Sequence, residues 1–163
     1  MEQTKKAMEA EGKTFTPHPA MSVVEKMVKE FGREGKKVSK GFYDYPENGE
    51  KHLWSDLTEL YPTTDEQPSQ QDLVDRLLYV QANETAKCYE ENVVRTVADA
   101  NIGSIFGWGF APNQGGTLQF INSVGVDKFV ARSRELAQKY GARFEPAQIL
   151  VAMAAKGEVF SDD

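Results

Sequence analysis

Few side chains in this 163-residue chain are of a type and spacing that could do chemistry. Cys88 is its only cysteine, and a reactive thiolate needs a neighbouring cation or helix terminus to lower its pKa. No motif ties His18 or His52 to it, so Cys88 reads as an inert packing group. The same two histidines have no cysteine or carboxylate partner at ligand spacing, which argues against a metal site. Ser55, Ser69 and Ser104 lack the strand, turn and helix of a nucleophile elbow. Lys36, Lys37 and Lys40 stand together in GREGKKVSKGFYDYP, just ahead of Phe42, Tyr43 and Tyr45. Such a stretch is either a solvated loop that lays its rings on the core or an anion-binding edge for the phosphates of a nucleotide-like ligand. The remaining candidate is Glu84. At about 100° per residue it falls between Leu73 and Leu77, inside an apolar helical arc. A carboxylate there must be paired, hydrogen-bonded or protonated, because burying it bare is costly. It reads either as a structural acceptor or as a contact to a ligand or partner, with Gln81 as the second buried polar candidate.

The element that positions Glu84 is Ser69–Glu91, the longest uninterrupted helical pattern in the chain. Pro68 precedes it, Ser69 is a natural N-cap, and Asp72 follows three residues on. Val80, Leu73, Leu77, Cys88, Val74, Leu78, Tyr89 and Ala82 fill about half its circumference or more, so the helix is expected at the centre of a bundle. Asn83, Arg76 and Lys87 are left for the wet strip. Asp72 and Asp75 near its start suit the helix dipole without any functional role.

Helical spacing recurs along the rest of the chain. A short polar helix is predicted over Thr4–Glu11, and another over Val23–Phe31 with Ser22 as N-cap and Gly32 as stop. Pro17-His18-Pro19 separates them as an extended segment. A turn at Pro46–Gly49 leads to a short helix over Leu53–Tyr61. Thr96 is a plausible cap for Val97–Phe106, Thr117–Val124 ends at Gly125, Val126–Tyr140 ends at Gly141, and Pro146 opens a last helix that ends at Gly157. The glycine-rich run Gly103–Gly116 tempts comparison with a phosphate cradle. No strand precedes it, however, and neither the spacing nor an acidic ribose partner fits. No alternating strand of useful length occurs, so an all-α fold is expected. The connector PTTDEQP, from Pro62 to Pro68, is rigid, polar and acidic, as a boundary between two structural units would be.

Composition limits the function classes. With 40% hydrophobic and 27% charged residues this is an ordinary globular chain. No run approaches the ~18 apolar residues of a membrane span. The charged N-terminus lacks a signal-peptide core and the C-terminus is no peroxisomal address, so a cytoplasmic setting is expected. A net charge of −6 argues against general nucleic-acid affinity.

Three separate motifs add a family likeness. Gly35-Lys-Lys-Val-Ser-Lys-Gly41-Phe42-Tyr43-Asp44-Tyr45, then Asp75-Arg76-Leu77-Leu78, then Gly107-Trp-Gly109-Phe110-Ala-Pro112-Asn-Gln-Gly115-Gly116 closely resemble the C-terminal helical region of the 3-hydroxyacyl-CoA dehydrogenase family. The resemblance is closest to the multifunctional fatty-acid β-oxidation proteins, in which that helical domain occurs twice in tandem. It covers roughly residues 23–160. It implies that residues 1–46 are the tail of a first helical copy, 47–68 a connector with a short helix, and 69–163 the second copy.

In that family NAD is bound, and the catalytic His-Glu pair supplied, by a separate nucleotide-binding domain that this sequence lacks. The resemblance therefore implies no cofactor and no catalytic residue in this chain, and NAD and acyl-CoA only in the intact enzyme. Where the family's first or only copy has an Asn beside the substrate, this chain has Asp75, as suits a degenerate copy that packs and does not bind. The expected function is a scaffold and dimerisation part of the dehydrogenase. Its partner would be the missing N-terminal part of the same enzyme or a second copy of itself. A truncated first copy should also leave an apolar face exposed on residues 23–31. The alternative is a stand-alone helical module that binds acyl-CoA or another anion on Lys36, Lys37 and Lys40.

Overall fold

In the computed structural model, which describes residues 2–18 and 20–162, the local signals become a chain of helices with one small hairpin. Its elements are α1 (Glu2–Ala10), α2 (Ala20–Lys29), β1 (Tyr43–Asp44), β2 (His52–Leu53), α3 (Leu57–Leu60), α4 (Gln70–Glu90), α5 (Val97–Trp108), α6 (Thr117–Val124), α7 (Val126–Tyr140) and α8 (Gln148–Lys156). Short 3-10 turns stand at Lys36–Val38, Pro112–Gln114 and Ala142–Phe144. The all-α expectation holds, since β1 and β2 contribute only two residues each. The chain divides into two units, Met1–Asp65 and Glu66–Asp163. The division falls inside the acidic connector.

The first unit is organised around Arg33, a buried residue that the sequence reading passed over. Its Nε donates to the Gly41 carbonyl at 2.6 Å, and its Nη2 pairs with the Asp44 carboxylate. Its guanidinium lies 4.2 Å from the Trp54 ring centre, and Trp54 meets Phe31 edge-on at 5.2 Å. A planar, permanently charged group suits this place because it can stack and bond at the same time. The hairpin pairs Tyr43 with Leu53 and Asp44 with His52. Leu53 is therefore in a strand, and the helix expected from it is confined to α3. Helix α2 also starts two residues before the expected cap: the Ala20 N–H donates to His18 Nδ1 at 3.1 Å, so His18 takes the role assigned to Ser22. Val24, Val28 and Phe31 are exposed.

The second unit packs α4 against α6, α7 and α8. Ser69 caps α4 as its position predicts, with Oγ accepting from the Asp72 N–H at 3.1 Å, and Thr96 caps α5 by accepting from the Asp99 N–H at 3.0 Å. The core gathers Tyr79, Ala82 and Ala86 of α4, Leu118 and Ile121 of α6, Phe129 and Leu136 of α7, and Leu150 of α8. Tyr79 stacks on Phe129 with ring centres 4.3 Å apart.

Part of the expected arc of α4 packs inward, with Ala82 buried and Leu78, Val80 and Tyr89 partly buried against the core, but the rest of it faces outward. Leu73, Val74 and Leu77 are 46%, 43% and 66% exposed, while Asn83, assigned to the wet strip, is 1% exposed. Glu84 is not buried: its side chain is 68% exposed and pairs loosely with Lys87 at 3.3 Å. Gln81 is only half-buried, bonded to the Leu77 carbonyl at 2.6 Å and accepting from Trp108 Nε1 at 2.9 Å. The physical reason lies in the partners. Ala82 and Ala86 let neighbouring helices approach closely, and Asp72, Asp75, Asn83 and Thr85 on that face each find a bond. Asn83 donates to the Glu145 carbonyl at 2.6 Å and accepts from the Ala147 N–H at 2.8 Å. Desolvation is then offset, and polar residues can occupy a core face. Helix α4 packs on α6, α7 and α8 and still leaves an apolar stripe turned outward.

Candidate functional site

Asp72 and Asp75 are three apart in α4 and so project from one face. Arg132, Lys139 and Tyr140 come from α7 on the opposite side of the same groove. Arg132 donates from Nη2 to Asp72 at 2.5 Å, from Nε to Asp75 at 2.7 Å and from Nη1 to Glu135 at 2.8 Å. Tyr140 donates to the second Asp72 oxygen at 2.6 Å, and Gln71 Nε2 to Asp75 at 2.7 Å. The Tyr140 hydroxyl and then the Arg132 guanidinium hold the Asp72 carboxyl down at about 2. Tyr79 is pushed up to about 12, first by burial and then by the Asp75 carboxylate. A general acid or base is most effective with a pKa near the working pH. These groups are tuned away from it, so the cluster acts as an ionic clamp between α4 and α7. Asp75, bonded to Arg132 and Gln71, is one jaw of that clamp.

The outward face of α4 is of another kind. Leu73, Arg76, Leu77, Val80, Arg143 and Phe144 line a hollow of about 500 Å³ at its first half. Gln81, Glu84, Thr85, Cys88, Val94 and Trp108 line one of about 380 Å³ at its second half. Arg76 lies over the Tyr140 ring at 4.4 Å and Arg143 over Phe144 at 5.2 Å. Among the described residues neither has a carboxylate within ion-pair distance. Gln81, Glu84 and Cys88 therefore come together, though on an open surface and not in a core. Sequence reasoning set Arg132 only on the polar side of the helix over 126–140, with no role, and passed over Arg143. The available signal was the Asp72/Asp75 pair, which needs a cation from another element.

Lys36, Lys37 and Lys40 belong to the first unit. They sit on a loop closed by Gly35 N–H to Lys40 O at 2.7 Å and Lys40 N–H to Gly35 O at 3.2 Å. All three are exposed, and Ser39 between them adopts a left-handed φ of 56°.

The glycine run does not fit a dinucleotide. Gly116 is buried, with φ of 104°, and a Cβ there would stand 2.5 Å from Asn101 Cα and Cβ. The space beside it is filled by Asn101, whose Oδ1 accepts from the N–H groups of Leu118 and Gln119, both at 3.0 Å. The start of α6 is thus capped by protein and is not left open for a phosphate. Among the described residues no three His, Cys, Asp or Glu side chains gather as metal ligands, and no helix is long and apolar enough to cross a membrane.

No protein-family model matches the chain. Among solved structures it is similar to the dehydrogenase part of multifunctional enzyme 1 from C. elegans, at 18% sequence identity and a TM-score of 0.52. The match covers 93% of this chain and 35% of the other, so this chain spans about a third of that protein's length. The likeness is one of fold: this all-helical chain resembles part of that dehydrogenase structure, in keeping with the resemblance carried by the three motifs.

Proposed function

We propose that this chain is the C-terminal scaffold and subunit-interface part of an NAD-dependent 3-hydroxyacyl-CoA dehydrogenase of fatty-acid β-oxidation, in a cytoplasmic setting, and that it is not catalytic by itself. The carrying observation is the fold shared with a dehydrogenase part of which this chain spans only a third. The clamp supports it: Asp75 is engaged by Arg132 and Gln71 and so serves packing. NAD would be held by the missing part, since the residues here do not fit it. Oxidation of the acyl-CoA would depend on groups from that part, and this chain would brace the helices that wall the substrate cleft.

The test is complementation. The purified chain is mixed with a dehydrogenase part carrying the nucleotide-binding domain and the missing helices, and NADH-dependent acetoacetyl-CoA reduction is followed alongside light scattering. The chain alone should show no turnover and the mixture should form a complex with raised activity. Well-folded pieces that ignore one another would refute the proposal.

One observation favours a second reading, a stand-alone acyl-CoA or anion-binding module: the exposed Lys36, Lys37 and Lys40 have no carboxylate within ion-pair distance among the described residues. It requires calorimetrically detectable CoA binding that weakens with salt and with Lys36→Ala plus Lys37→Ala.

A further inference from the structure

We infer that residues 158–162, the segment after α8, are a peptide bound by its own chain, and that the groove beneath them is a recognition site for peptides carrying Phe-x-Asp. The inference concerns the second unit alone and does not rest on the scaffold reading. Gly157, with a φ of 71°, ends α8, and the segment beyond it has no regular secondary structure. Its side chains divide by alternation, as those of an extended peptide do. Phe160 is buried, whereas Val159 is 60% exposed and Ser161 is exposed.

Three elements distant in sequence converge on the segment. Asn122 of α6 forks around the Phe160 backbone, donating from Nδ2 to its carbonyl at 2.9 Å and accepting at Oδ1 from its N–H at 3.0 Å. The Phe160 ring joins the core and meets Tyr89 of α4 edge-on, with ring centres 5.6 Å apart. Asp162 reaches the start of α5, where its two carboxylate oxygens accept from the Val97 and Ala98 N–H groups, each at 2.5 Å. Thr96 already holds the Asp99 N–H, so Asp162 satisfies two further free donors at a helix end that favours an anion. Recognition of extended peptides divides in this way: main-chain hydrogen bonds hold any sequence, and pockets for alternate side chains select one. Asn122 supplies the first part, and the aromatic pocket and paired N–H groups supply the second. The walls belong to α4, α5 and α6, and α6 packs directly on both of the others, so the groove is built without the segment. A partner peptide of the same pattern must therefore displace residues 158–162, which act as an occupant in cis.

The experiment follows amide hydrogen exchange by NMR in the full 163-residue chain carrying Asp162→Ala. Asp162 is exposed and Phe160 is left in place, so this change leaves the core intact. The Val97 and Ala98 amides should exchange about tenfold faster than in wild type, with core amides unchanged. The probe is a synthetic peptide of residues 157–162. It should restore Val97 and Ala98 protection with half-saturation at about 1 mM and, by displacing the chain's own segment, expose the Phe160 amide of the protein. The same peptide with Phe160→Ala or Asp162→Asn should need at least about tenfold more. Unchanged exchange in Asp162→Ala, no restored protection at about 10 mM peptide, restoration with the protein's Phe160 amide still protected, or equal action by both altered peptides would each overturn the inference.

Discussion

Asn83→Ala and Leu77→Ala should have opposite consequences to those that their side-chain chemistry suggests. Removing the Asn83 amide leaves the Glu145 carbonyl and the Ala147 N–H without partners in a site where Asn83 itself is 1% exposed. At about 1–3 kcal/mol for each orphaned group, partly relieved by entry of water, the expected loss is about 2–4 kcal/mol. For a unit of this size that lowers Tm by roughly 10–20 °C. Leu77 is 66% exposed, and its truncation should change monomer stability by no more than about 0.5 kcal/mol. Had the apolar arc of α4 faced the core, the order would be reversed, with Leu77→Ala costing about 2–5 kcal/mol. Urea unfolding in a Trp54→Phe background leaves Trp108 as the single indole, reporting the α4–α5 junction through its bond to Gln81. The comparison is made at concentrations where the chain is monomeric. Equal losses for the two variants, or a larger one for Leu77→Ala, would refute the assignment of the buried face.

Three further outcomes follow from the same packing. Arg132→Met removes the shared cation of Asp72 and Asp75, and should destabilise the chain far more than Lys29→Ala, whose exposed pair with Glu25 contributes at most about 1 kcal/mol; adding Asp72→Asn and Asp75→Asn should recover much of the loss, as thermal melts would show. Because the folded Asp72 carboxyl is lowered from 3.8 to about 2, the unfolded chain takes up the proton first; stability from this group is complete above about pH 4 and lost as pH falls towards 2. Urea midpoints between pH 2 and 5 should fall steeply for wild type and less for Asp72→Asn. Gly116→Ala meets both a φ of 104° and the Asn101 backbone 2.5 Å away, and should cost about 3 kcal/mol in urea unfolding.

Much of the fold was legible because helix boundaries are set by neighbours in sequence. Ser69 and Thr96 cap the helices that their positions announce, and Gly109, Gly141 and Gly157 end others, each with positive φ. Where a boundary moved, a neighbour supplied a bond that composition does not reveal. His18 captured the Ala20 N–H, and β1 drew Leu53 into a strand. The candidate site was less legible. Glu84 and Gln81 read as buried polar groups in an apolar arc, but that stripe faces outward and Glu84 is exposed on it. Lys36, Lys37 and Lys40 lie on a tight exposed loop, and Arg33 just before them is the residue that holds that unit together.

The sequence by itself determined the helical class, most helix ends and the likeness carried by the three motifs, because caps, glycine stops and periodicity act within a few residues. Only the tertiary structure decided which face of α4 is buried. That choice depends on bonds spanning some 60 positions, from Asn83 to the backbone at Glu145 and Ala147 and from Asp72 and Asp75 to Arg132. A face ranked by apolarity alone takes no account of such partners. Where they exist, satisfied polar groups and two alanines pack inward, and the leucines are left for another surface.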